Sequence, residues 1–269
     1  MSTQDKGFAL ITGASSGIGA VYADRLARRG YDLILVARRE ERLKTLAKDI
    51  SSRTRRKVEI VTADLLDRAA LRKVEAILGS DARITLLVNN AGVAAASPLV
   101  NSNVEKMSEI ISLNVEALMR LTYAVVPGFV QRGSGTIINI GSIVAIGPEL
   151  LNGVYGGSKA FVQAFSQSLK HELADKGIRV QVVLPGATAT DLWVNAGFPI
   201  ENLPKEMVMQ TDAMVDAALA GLDQGEFATV PSLNDVKDWE SYENARQTLM
   251  PHLSLSQPAS RYRTAARSA

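Results

Sequence analysis

Short apolar runs alternate with longer segments of helical period along almost the whole chain. The runs are FALITG (8–13), DLILVAR (32–38), VEIVTADL (58–65), ITLLVNNAG (84–92), GTIINIGS (135–142), RVQVVLPGA (179–187) and EFATVP (226–231). Most are rich in Val, Ile and Leu with little polar alternation, which predicts strands covered on both faces. Between them, GIGAVYADRLARRG (17–30), REERLKTLAKDI (39–50) and DRAALRKVEAIL (67–78) read as helices, and 103–131 as one long helix or two. The first ends in Arg-Arg-Gly, cations in the last turn followed by a terminating glycine. In SKAFVQAFSQSLKHELADKG (158–177), Phe161, Phe165, Leu169 and Leu173 step by four residues, a predicted core-facing stripe that stops at Gly177.

This alternation predicts a single α/β domain, Rossmann-like and doubly wound. Seven mostly parallel strands are expected, with helices on both faces and right-handed crossovers. No repeat or linker divides residues 7–248. After Met250 the sequence turns polar and aperiodic, so the domain is expected to span 1–249 and a surface-lying or disordered tail 250–269.

Composition narrows the chemistry. The 269 residues are 46% hydrophobic and 22% charged, ordinary for a soluble globular protein. There is no cysteine, which excludes disulfides and thiolate metal sites. The two histidines, His171 and His252, stand in no suggestive context for a metal site or a Ser-His-Asp triad, and neither receives a role. The net charge of +2 is too small to indicate a nucleic-acid surface. RTRRK (53–57) reads as a solvated loop in preference to an anion patch. The amino terminus has no signal-peptide pattern, and no uninterrupted apolar run approaches the ~18–20 residues of a membrane span. The expectation is a soluble, cytoplasmic protein with no membrane or nucleic-acid partner.

The first strand runs into TGASSGIGA, which places Gly13, Gly17 and Gly19 between a strand and a helix. A tight turn and close backbone approach to a pyrophosphate both need glycine, and the helix amino terminus offers free N–H groups to the anion. The alternative is an ordinary strand–helix turn with packing glycines. Gly13, Asp64, Asn89, Ser142 and Pro185 all fall at or just past the carboxyl ends of predicted strands. In a parallel sheet those ends share one edge, where doubly wound folds bind ligands.

The spacing T-G-x-x-x-G-x-G, followed by NNAG (89–92), Asn114, Ser142, Y-x-x-x-K at Tyr155 and Lys159, and PG at 185–186, resembles the short-chain dehydrogenase/reductase family. The likeness covers roughly residues 7–232. It implies a nicotinamide cofactor held by Thr12, Gly13, Ser15, Ser16, Gly17, Ile18 and Gly19. Asp64 and Leu65 would lie at the adenine, and Asn90, Ala91 and Gly92 along the middle of the site. Tyr155 and Lys159 would meet the nicotinamide ribose, and Pro185, Gly186, Thr188 and Thr190 the carboxamide end. The lesser alternative for Asp64 is an amino-terminal cap of the helix that follows. The second strand ends in VARRE, with Ala37 where an NAD-preferring site usually has an acid, and Arg38 next. A guanidinium can hold a 2′-phosphate that a carboxylate would repel, so NADP(H) is the expected cofactor. Ser15 would add a hydroxyl, and Arg39 is read as idle or secondary. The alternative is that Arg38 and Arg39 cap the strand and pair with Glu40 or Glu41.

Hydride reaching a carbonyl carbon leaves charge on oxygen that needs a proton. A free phenol titrates near 10, and an adjacent ammonium lowers that value. Lys159, one helical turn from Tyr155, is placed to do so, although this spacing also arises by chance. Tyr155 is read as the general acid for carbonyl reduction and Ser142 as the hydrogen-bonding partner of the substrate oxygen. By resemblance, Asn114 completes the catalytic set through a water next to Lys159. Gly156 and Gly157 would leave room for the nicotinamide or for a partner helix.

Residues of about 191–215 are expected to cover the substrate, with Trp193, Phe198, Met207 and Met209 forming an apolar lid; packing onto the core is the alternative for each. Absence of a cation cluster there points to an apolar ketone, aldehyde or secondary alcohol. The resemblance implies a homodimer through the helices carrying Asn114 and Tyr155, and a homotetramer as a further state. The function expected is an NADP(H)-dependent oxidoreductase interconverting carbonyl and alcohol. A 3-oxoacyl-thioester reductase and a non-catalytic NADP-sensing protein are the alternatives.

Overall fold

The structure, a computed structural model, describes residues 6–262. Seven strands, β1 (Phe8–Thr12), β2 (Asp32–Ala37), β3 (Val58–Thr62), β4 (Ile84–Asn89), β5 (Gly135–Ile140), β6 (Ile178–Val183) and β7 (Ala228–Thr229), form one parallel sheet in the order β3-β2-β1-β4-β5-β6-β7. The order reverses direction between β1 and β4, which opens a crevice at the carboxyl edge. Most predicted strands run past the observed carboxyl ends. The surplus residues, such as NAG after Asn89, GS after Ile140 and PGA after Leu184, leave the sheet as loops at that crevice.

Both faces of the sheet are covered, as continuous apolar runs require. Ala9, Ile11, Leu33 and Leu35 pack on one face with Tyr22 and Leu26 of α1 (Gly17–Arg28). Leu10, Ile34 and Val36 point the other way, toward Val74 of α3 (Arg68–Ser80). The helix α2 (Glu40–Thr54) joins β2 to β3 and packs on the first face through Leu43 and Ile50. Arg25 and Arg28 stand in the last turn of α1, and Gly30 follows with a φ of +98°, as its sequence predicts.

The segment 103–131 is one helical run in three parts. They are α4 (Val104–Ile111), a π-helical turn (Ser112–Ala117) and α5 (Leu118–Arg132). By length and hydropathy this run resembles a membrane-crossing helix. Part of that apolar surface, Leu118, Leu121, Val125 and Phe129, is buried in the core, while Ile111, Tyr123 and Val130 are exposed. The helix α6 (Gly153–Leu173) departs from the predicted stripe: Phe161 and Phe165 are only half-buried, while Tyr155, Lys159, Val162, Ser166, Leu169 and Leu173 face inward. At 3.6 residues per turn, a strict four-residue step drifts about 40° per repeat, so it cannot stay on one buried face. The short α7 (Leu192–Asn195) and longer α8 (Thr211–Gln224) lead to β7.

The chain divides into two units, Met1–Pro231 and Ser232–Ala269. In the second, α9 (Val236–Leu249) has no buried residue, and two short 3₁₀ turns follow. The sequence places this boundary at 249/250. The helical period of α9 is real, but helix formation does not by itself supply a packed face. The last expected tail residues, 263–269, lie outside the described residues.

The basic run 53–57 sits among acids: Arg53 pairs with Asp24 and Asp49, Arg56 with Asp32, and Lys57 with Glu59. His171 and His252 are both exposed.

Candidate active site

The turn after β1 accepts only glycine at two points. Gly13 and Gly17 have φ of +67° and +54°. A Cβ on Gly13 would also stand 2.9 Å from Ala91 Cα. At Gly19 the reason is packing, since a Cβ there would lie 2.5 Å from the Gly13 carbonyl oxygen. Ser16 occupies the N-cap position of α1 but makes no capping bond with its side chain. The orphan N–H groups of the first turn therefore remain available to an anion. Thr12 is buried behind the turn: its hydroxyl accepts the backbone N–H groups of Asn90 and Ala91, each at 3.0 Å. The Asn90 amide donates to the Thr12 carbonyl at 2.8 Å. These bonds weld the end of β1 to the end of β4.

Beyond β2, the arginines separate. Arg38 is mostly exposed and stands 3.8 Å from the Asp64 carboxylate. Arg39 folds back over the glycine turn, where its Nη2 donates to Ser16 Oγ at 2.7 Å and to Ser15 Oγ at 3.3 Å. Its guanidinium also reaches within 4.0 Å of Asp191. Neither arginine pairs with Glu40 or Glu41, which both engage Lys44. Asp67, not Asp64, caps α3.

Tyr155 and Lys159 lie on the buried face of α6, one turn apart, with Lys159 Nζ 5.9 Å from the centre of the phenol ring. Lys159 donates to the Ile140 carbonyl at 2.9 Å. Burial brings its ammonium down from 10.5 to about 8. Burial also pushes the Tyr155 phenol up to about 12, opposed by a hydrogen bond from Ser142. The expectation from sequence is a phenol lowered by its lysine neighbour; here burial raises it, and Ser142 is the group that opposes the rise. Ser142 ends β5's loop with its hydroxyl near the Pro185 carbonyl (3.4 Å) and accepting from Val144 N–H. Asn114 sits in the π turn, a distortion that often marks functional sites. Its amide accepts from Val93 N–H and donates to the Val93 carbonyl, both at 2.9 Å, and donates to Ser158 at 3.1 Å.

Ser142, Tyr155 and Lys159 open on a cavity of about 740 Å³, running from Arg38 and Asp64 to Trp193 and Phe198. At the far end Ala94, Ala95, Leu150, Leu151, Leu203 and Met207 make an apolar wall. Trp193 packs against Phe198, and its indole donates to the Thr188 carbonyl at 2.9 Å. A nicotinamide dinucleotide fits this donor set. The glycine-only cradle, the open helix terminus and two arginines match its phosphates, and Asp64 matches its adenosine.

The family model for short chain dehydrogenases matches residues 7–197. The chain belongs to that family. A short-chain dehydrogenase from Sphingobium yanoikuyae, solved in complex with NADPH, is 48% identical and superposes with a TM-score of 0.93, over 96% of this chain and 100% of that one. The bulky-bulky ketone specific alcohol dehydrogenase from Comamonas testosteroni is 42% identical, with a TM-score of 0.88 over 96% and 99% of the two chains. Sulfoacetaldehyde reductase 2 of Chromohalobacter salexigens is 40% identical over 68% of this chain and 73% of its own length.

In this family member most sequence-selected residues line the cavity, including Ser15, Ile18, Leu65, Gly92, Gly186 and Thr190. Thr12, Gly19 and Asn114 do not; they brace the lining from behind. Met209 is an anchor and not part of a lid, since its N–H donates to the Ala187 carbonyl and its side chain packs on the core. At Gly156 a Cβ would lie 3.0 Å from Pro148, so within this chain the loop at Pro148 already requires glycine there. Gly157 faces open space. Sequence reading missed the Ala94–Ala96 wall, Leu150 and Leu151, because alanines and leucines before a helix carry no chemical signature. It set Arg39 aside as idle or secondary, whereas the fold turns that side chain over Ser15 and Ser16.

Proposed function

We propose that this short-chain dehydrogenase is an NADP(H)-dependent carbonyl reductase or alcohol dehydrogenase acting on bulky, uncharged ketones or their alcohols. The observation that carries the reading is the buried Ser142–Tyr155–Lys159 group facing an apolar cavity wall. The bound nicotinamide would supply or accept the hydride. The protein's own part is proton transfer and charge stabilisation. With a value near 12, Tyr155 is protonated at neutral pH and holds the proton that a nascent alkoxide takes. Ser142 donates to the same substrate oxygen as charge grows. Lys159, with a value near 8, is largely charged at pH 7 and favours the phenolate left behind. Asn114 holds the Val93 backbone and Ser158 beside this group.

Arg38 and Arg39 support the 2′-phosphate reading together, with Ser15 and Ser16 completing a polar pocket. The two functionally named relatives point to different substrates. The wall of Ala94, Ala95, Leu150 and Phe198 holds no cation for a sulfonate, which favours the bulky ketone. The same lack weighs against an acidic carrier thioester. The retained proton donor weighs against a pure NADP sensor. Exposed Tyr123 stacked on Phe165, with exposed Ile111 and Val130, supports a homodimer through α5 and α6.

Fluorescence titration with NADPH and NADH, followed by nicotinamide absorbance on a ketone panel, tests the reading. NADPH is expected to bind about tenfold or more tightly than NADH, with Arg39→Ala erasing much of that preference. Tight NADPH binding without turnover on any ketone would favour the sensor.

A further inference from the structure

Asn152 is buried at the N-cap of α6, three residues before Tyr155, and all of its polar groups are engaged. Its Oδ1 accepts from Val154 N–H at 2.9 Å, and its Nδ2 donates to the Ser97 carbonyl at 2.7 Å. Its backbone N–H donates to the Ala95 carbonyl at 3.3 Å, and its carbonyl accepts from Gly156 N–H at 2.9 Å. Ala94, Ala95 and Ala96 belong to the cavity wall that precedes α4, and Leu150 and Leu151 to the wall that precedes α6. One residue, through its backbone at Ala95 and its side chain at Ser97, thus ties the wall that precedes α4 to the turn that carries Tyr155. A second contact acts in the same place, where the loop at Pro148 lies directly on the Gly156 backbone.

The first turn of a helix is where its hydrogen bonding is incomplete and fraying begins. Tyr155 is in that turn. Its ring packs against Ala95, Ile110 and Val144, and two of these three belong to the same walls or loops. The aim of the phenol is therefore inherited from the cap and from the wall, and Asn152 sets both.

We propose that Asn152 is a positioning residue with two separable parts. Its capping oxygen holds Tyr155 in line with Ser142, which governs kcat. Its side-chain nitrogen holds Ser97, at the end of the Ala94–Ala96 wall, which governs KM for bulky ketones. The proposal rests on Tyr155 being the proton donor.

The test uses the full-length protein with NADPH and propiophenone, and compares wild type, Asn152→Ala, Asn152→Ser and Tyr155→Phe. Asn152→Ala is expected to lower kcat about tenfold or more, since small misplacements of a reacting group cost up to about a hundredfold. NADPH Kd, read by fluorescence, should stay within about twofold. Asn152→Ser keeps a capping oxygen and cannot reach Ser97, so kcat should return to within about threefold of wild type while KM stays raised several-fold. Asn152→Ala with kcat within about twofold of wild type overturns the proposal, as does Asn152→Ser with about a tenfold loss of kcat. Should Asn152→Ala fail to fold, the serine variant decides by the same criterion. Undiminished turnover in Tyr155→Phe refutes the proton-donor reading itself. Loss there with an unaffected Asn152→Ala refutes only the positioning role.

Discussion

Burial acts on Tyr155 and Lys159 in opposite directions, and the consequence is measurable in the free protein. Lys159 titrates near 8 folded, against 10.5 unfolded. Between those values the unfolded chain binds more protons, so this lysine makes stability rise with pH across that window. Below 8 both states are charged and the full cost of burying the ammonium is present. Tyr155, raised from 10.0 to about 12, acts the other way above pH 10. Urea unfolding at pH 7 and 9.5 should therefore show wild type gaining roughly 2 kcal/mol relative to Lys159→Met. An equal pH response in the two proteins would contradict a strongly desolvated lysine. In turnover, Tyr155→Phe should lower kcat by about a hundredfold or more, checked by single-wavelength assay at saturating NADPH.

At the scale of the element, the first turn of α6 shows why two adjacent glycines differ. Gly156 is pressed by the Pro148 backbone, and Gly157 meets open space. Gly156→Ala should destabilise the protein by about 1–3 kcal/mol through overpacking. Gly157→Ala should stabilise it by up to about 1 kcal/mol through helix propensity. Thermal melts of the two variants should move in opposite directions. The sequence placed both glycines in the site but not the reason for either, because Pro148 and Gly156 meet only after the loop folds back on the helix. The π turn at Asn114 is similar. The resemblance pointed to Asn114, but the lengthened turn that carries it follows from contacts with Val93 and Ser158, which belong to other elements.

For the whole molecule, the buried residues end at Thr229, so the sheet unit owns its entire described core. A chain ending at Pro231 is expected to fold and bind NADPH with Kd within about threefold of the full protein, measured by fluorescence. Replacing Tyr123 by Glu should shift the proposed dimer to monomer in light scattering, because the stacked rings on α5 and α6 would then carry an unpaired charge. Absence of any change in mass would remove this face from the interface.

The strand–helix order, the parallel sheet, the glycine turn and the Ser-Tyr-Lys set were all legible in sequence. The first three rest on local rules, namely apolar runs, helical period and backbone angles that glycine alone adopts freely; the Ser-Tyr-Lys set was read through the family resemblance, since its spacing alone also arises by chance. Tertiary structure decided what depends on residues far apart in the chain. It turned Arg39 over Ser16, placed Met209 in the core and left α9 without a buried residue. It also set the charge balance of the phenol, because desolvation is a property of everything packed around Tyr155 and not of the lysine four residues away.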